Sequence, residues 1–129
     1  MDQFSVVVGA GSYRSDDEGA VTFPHRWTPD GVTVQATFTC AHLLHLAVAG
    51  CVLNDVYREA GALGLPVDGV RVEAVGGFDT GTWASSGIDY RIEVDSAAPA
   101  SDLAALLERV DAVAEIPRAV RAGATVRRT

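Results

Sequence analysis

From Thr39 to Leu63 the chain reads TCAHLLHLAVAGCVLNDVYREAGAL, and no other stretch restricts the fold as much. Thr39 supplies a helix N-cap, and Gly64 and Pro66 supply the stop. Between His42 and Leu53 almost every position is apolar or small, so the first three turns have no polar face. A helix that is apolar all round belongs inside a protein. Its second half turns amphipathic at Asn54, Asp55, Arg58 and Glu59, and the pair Arg58/Glu59 reads as an exposed end. Two sheets of three strands and one other long helix barely cover such a rod, so a partner subunit is expected on the remaining face.

Both cysteines, Cys40 and Cys51, fall on this one helix. An offset of eleven residues returns a side chain to nearly the same helix face but lifts it by about 16 Å. Bridged cysteines need Cα atoms within about 7 Å. The two thiols of one chain therefore cannot pair with each other.

With 129 residues, nearly half of them hydrophobic, the chain is expected to form a single domain, 1–129, with a real core. Every basic residue is arginine and the net charge is −7, which disfavours nucleic acid and anionic membranes as partners. The opening MDQFSVVVGAG has neither a basic segment nor a long apolar core, so it does not read as a signal peptide. The apolar run of the long helix falls short of the roughly 20 residues needed to span a bilayer. The expected location is the cytoplasm, where two cysteines read as free thiols.

Strands are expected at Gln3 to Val8, Ala20 to Trp27 and Val32 to Phe38, with Gly9 to Gly19 as a loop whose Asp16, Asp17 and Glu18 are solvated. Thr28-Pro29-Asp30-Gly31 reads as the turn of a hairpin. Val32, Val34, Ala36 and Phe38 alternate with polar residues as a half-buried face would. After the long helix, Val67 to Phe78 and Ile88 to Val94 form a second strand pair around the loop Asp79 to Gly87. Ser101 or Asp102 caps a second helix through Ala114, with Leu103, Leu106, Leu107, Val110 and Val113 along one stripe. Pro117 suits the first turn of a short third helix ending at Gly123, and Ala124 to Arg128 suit a closing strand. Runs of strands separated by helices indicate an α+β fold.

The order LLHLAVAGC, then GLPVDGVRVEAVG, then IPRAVRAGATV resembles the OsmC/Ohr family (osmotically inducible protein C and organic hydroperoxide resistance), of which the chain would be a diverged member. The likeness runs from about Val21 to Val126. It implies two small antiparallel sheets around a long central buried helix, in an intertwined homodimer. It also implies reduction of organic hydroperoxides by a cysteine thiolate that passes through a sulfenic acid, which a second cysteine resolves. An arginine and a glutamate poise the thiolate in that scheme.

Carried over residue by residue, Cys51 falls on the peroxidatic position. Arg14, in the loop after the first strand, is the counterpart of the arginine, with Arg26 as the alternative. The glutamate position, ten residues before Cys51, holds Ala41, and the second cysteine position holds Ile116. Turnover would then need an external thiol reductant, or Cys40 of another subunit. Cys40, at the helix start, has the more favourable local field for a thiolate and is a candidate resolving or reactive thiol. The plainer reading makes Cys51 a small buried hydrophobe and Cys40 incidental.

His42, His45 and Cys40 bring zinc-type ligands together in sequence, but on a helix Cys40 and His42 point some 200° apart. No metal or cofactor is expected. Trp27 and Trp83 either wall an apolar pocket over Cys51 or sit in peripheral core. The alternative to a thiol peroxidase is a non-catalytic dimer that binds a small hydrophobic ligand, which the apolar Ala41 and Ile116 favour. A third reading is a purely structural dimer with an inert cysteine.

Overall fold

Five strands and three helices make up the computed structural model, which describes residues 4–129. The strands β1 (Val6–Gly11), β2 (Val21–Phe23), β3 (Val32–Gln35), β4 (Gly69–Phe78) and β5 (Ser85–Asp95) form one antiparallel sheet in the order β2-β3-β1-β4-β5. Alternate valines place apolar rows across it: Val34, Val8, Val72 and Ile92 stand in register, and so do Val32, Ala10, Val70 and Val94. One face is thereby apolar, while Arg71, Glu73, Arg91 and Glu93 pair on the other.

The long helix α1 (Cys40–Leu63) lies across that apolar face. Its first turn is capped by Thr39 Oγ1, which accepts the His42 N–H at 3.2 Å. Its last turn is closed by Gly64 in the left-handed region, φ +70°. Val48, Ala49, Val52, Leu53 and Val56 are buried against the sheet and α2 (Ala100–Val113), whose Leu106 and Val110 are fully buried. Each such valine or leucine side chain contributes about 1.5–3 kcal/mol of hydrophobic stabilisation. The short helix α3 (Glu115–Ala122) then folds back on α1 and ends at Gly123. By length and composition the whole of α1 is apolar enough to cross a membrane, although its apolar run alone is shorter. Its packing on sheet and helices makes it the core helix.

Several expectations are corrected. The strands form one sheet, not two, because β1 pairs with both β3 and β4. β1 extends to Gly11 rather than stopping at Val8, and Gln3 lies outside the described residues. Gly9 is there for close approach, not for a turn: a Cβ on it would lie 2.2 Å from the Tyr13 carbonyl oxygen. β2 and β3 do form a hairpin, but β3 ends at Gln35, and Ala36 and Phe38 are exposed. β5 begins earlier, at Ser85, and α2 begins at Ala100 behind Pro99. Residues 123–129 form no strand, and Val126 is exposed.

Candidate functional site around Cys51

Cys51 lies in the middle of α1, half-buried, at the place where α3 starts. The turn from α2 into α3 delivers the Ile116 backbone N–H to its sulfur, 3.4 Å from Sγ. Asp55, one helical turn on, is fully buried, and its Oδ2 accepts from Sγ at 3.9 Å. Arg58, a further turn along, spreads its guanidinium over three carboxylates. Nη2 donates to Asp55 Oδ2 (3.1 Å), Nη1 to Glu115 Oε1 (2.9 Å) and Nε to Glu59 Oε2 (2.9 Å). Arg109 of α2 closes the network on Glu59 from the other side.

This network sets the charge state of the site. Burial pushes the Cys51 thiol above its ordinary value, the Ile116 amide opposes that, and the nearby Asp55 and Glu115 charges raise it further. Burial likewise lifts the Asp55 carboxyl, whereas the Arg58 hydrogen bond lowers Glu115. Glu59 is held down, chiefly by Arg109 and then by Arg58. Burial and the neighbouring carboxylates thus favour the thiol of Cys51 over its thiolate. Cys51, Asp55 and Glu115 bring a sulfur and two carboxylates within 4.8 Å of one another, but Arg58 is seated on both carboxylates, which makes this an ion-pair cluster.

Arg14 sits in the turn after β1, its N–H on the Gly11 carbonyl at 3.1 Å. Its Nε is buried with no hydrogen-bond partner among the described residues. Arg26 stacks over Trp27, 5.3 Å from the ring centroid. Neither arginine hydrogen-bonds Cys51 among the described residues. Cys40 is exposed at the start of α1, beside an apolar cleft lined by Phe4, Phe78 and Trp83. Trp83 thus faces the Cys40 end, and Trp27 packs edge-on against His25. His42 caps with Thr39, and the buried His45 bonds the Phe4 carbonyl through Nδ1 at 2.6 Å and stacks on Phe78. The two rings have separate partners, and Nε2 of His45 is buried without one among the described residues.

Arg58 and Glu59 are not an exposed helix end: Glu59 is buried, and Arg58 holds the cluster. The spacing Cys51, Asp55, Arg58 and Glu59 puts all four on one helix face, and that signal was available in the sequence. Glu115 and Arg109 had no such signal. A cleft of about 270 Å³ is lined by Val48, one turn before Cys51, by Pro117, next to Ile116, and by Ile88, Tyr90, Val120 and Arg121 among others.

The chain belongs to the OsmC-like protein family, whose model matches residues 33–128. Among solved structures it is similar to an OsmC-like hydroperoxide resistance protein from Jannaschia sp. CCS1, with a TM-score of 0.56 and 16% identity over 97% of this chain and 92% of that one. The search of curated proteins gave no match.

Proposed function

We propose that this chain is a thiol-dependent reductant of organic hydroperoxides, with Cys51 as the atom that attacks the peroxide. The observation that carries the reading is the contact of Ile116 N–H with Cys51 Sγ. It seats the position that takes the second cysteine in the family resemblance directly on the first. A half-buried cysteine one helical turn from a largely apolar cleft lined by Val48 suits an uncharged organic hydroperoxide. With an isoleucine at that position, the sulfenic acid formed on Cys51 is reduced by an external thiol, since Cys40 lies about 16 Å away along the same helix. Cys40 of another subunit is the other available thiol. The protein acts in the cytoplasm as a homodimer, and Arg14 belongs to the assembled site. The dimer covers the face of α1 that the sheet leaves open, around Leu43 and Ala47.

The second reading, an apolar-ligand binder without turnover, is favoured by the raised thiol. One experiment separates the two. Stoichiometric cumene hydroperoxide should consume one thiol per chain, on the peptide that carries Cys51, and Cys51→Ser should abolish the reaction. Consumption no faster than that of free cysteine would leave the binder.

A further inference from the structure

We propose that Asp55 is the proton acceptor for Cys51, held in position by Arg58. This rests on the reading of Cys51 as the peroxide-reacting atom and names the group that activates it.

Among the described residues of one chain, no guanidinium hydrogen-bonds the sulfur. All three nitrogens of Arg58 are committed, to Asp55, Glu59 and Glu115, so Arg58 is a positioning residue. Asp55 is the carboxylate whose oxygen accepts from Sγ. A fully buried carboxylate is costly unless donors satisfy it. Here Asn54 Nδ2 serves Oδ1 at 3.1 Å, and Arg58 Nη2 and the thiol share Oδ2. The Ile116 N–H meets the sulfur separately and stabilises negative charge as it develops there. The thiol is thus placed between a donor and an acceptor. Burial raises the Asp55 carboxyl and makes it a stronger base than a solvated aspartate. The charges facing the pair are Arg58 and Glu59 from α1, Glu115 from α3, and Arg109 of α2 through Glu59.

The step balances without any further reactant. As Sγ attacks the distal oxygen of the hydroperoxide, an S–O bond forms, the O–O bond breaks, and the thiol proton passes to Asp55 Oδ2. The departing alkoxide takes that proton and leaves as the alcohol, and Asp55 returns to the carboxylate. The sulfur is oxidised to the sulfenic acid and the hydroperoxide is reduced.

The test compares two reactions of Cys51 in the full chain, each read by mass spectrometry of its own peptide between pH 5 and 9. Cumene hydroperoxide with dimedone trapping reports the assisted attack. Iodoacetamide reports the free thiolate. In the unaltered protein the hydroperoxide rate should persist at pH values where alkylation has already fallen away. Asp55→Asn should slow the hydroperoxide reaction about a hundredfold while leaving alkylation equal or faster, since a negative neighbour is gone. Coincident pH profiles for the two reagents in the unaltered protein would overturn the proposal even if the variant fails to fold. So would an Asp55→Asn protein whose two rates change together. A parent protein no faster than free cysteine removes the peroxidase reading and this assignment with it. A fast parent indifferent to Asp55 removes the assignment alone.

Discussion

The backbone N–H of Ile116 points at the sulfur of Cys51, 3.4 Å away, across 65 positions of sequence. The contact exists because α3 turns back onto α1 directly after α2, with Ala114 buried at the junction. It places the charged residue before it, Glu115, within reach of Arg58. The chemistry of the site follows from that one fold-back.

The two thiols should differ in reactivity, in the direction that the position of Cys40 at the helix start suggests. Cys40 is exposed, whereas Cys51 is half-buried and its thiol is raised by burial and by Asp55. At pH 7 iodoacetamide should label Cys40 first, with Cys51 following several-fold more slowly and gaining as the pH rises toward 9 and beyond. Peptide mass spectrometry over a time course measures this directly, and equal labelling at pH 7 would contradict it.

Acid should weaken the fold through Glu59. Its folded pKa lies below the ordinary 4.5, chiefly because of Arg109 and then Arg58. A depressed carboxylate contributes stability that is present above its unfolded value and is lost as the pH falls through the folded one. Glu59→Gln should therefore cost about 2 kcal/mol at pH 7. The gap to the unaltered protein should begin to narrow as the pH drops below about 4.5 and close only below the folded value. Urea unfolding at pH 7, 5 and 3.5 would show it, and a gap independent of pH would refute the assignment.

Gly76 should not tolerate a methyl group. A Cβ there would lie 2.4 Å from the Gly87 carbonyl oxygen and 2.9 Å from Nε2 of the buried His45. Gly76→Ala is expected to lower stability by about 1–3 kcal/mol through overpacking. The backbone oxygen is the nearer obstacle, so adding His45→Ala should not restore the loss. Thermal unfolding of the single and double variants decides the point.

Self-association should depend on the open face of α1. Leu43 and Ala47 are exposed there, and Phe23 and Phe38 lie exposed on neighbouring segments. The protein should sediment as a dimer at micromolar concentration. Ala47→Arg, a change at an exposed position, should yield a folded monomer. A monomeric unaltered protein would overturn the prediction.

Much of this was readable in the residues. The long helix and its caps followed from Thr39, Gly64 and an unbroken apolar run, because helix ends and burial obey local rules. The stripe of α2 and the start of α3 near Pro117 were legible for the same reason. Local rules misread Gly9 as part of a loop, since only the approach of another backbone distinguishes a glycine needed for space from one needed for a turn. The single sheet was hidden too, because β1 must sit between β3 and β4, and pairing across such distances leaves no mark on either strand.

The site divides along the same line. Periodicity alone puts Cys51, Asp55, Arg58 and Glu59 on one helix face, since a helix repeats every 3.6 residues wherever it lies. Whether Arg58 meets solvent or three carboxylates depended on Glu115 arriving from α3, and the fate of Glu59 depended on Arg109 arriving from α2. Sequence determined which side chains share a surface of α1. Tertiary structure decided which charges that surface meets, because electrostatic neighbours are chosen by packing between elements and not by order along the chain.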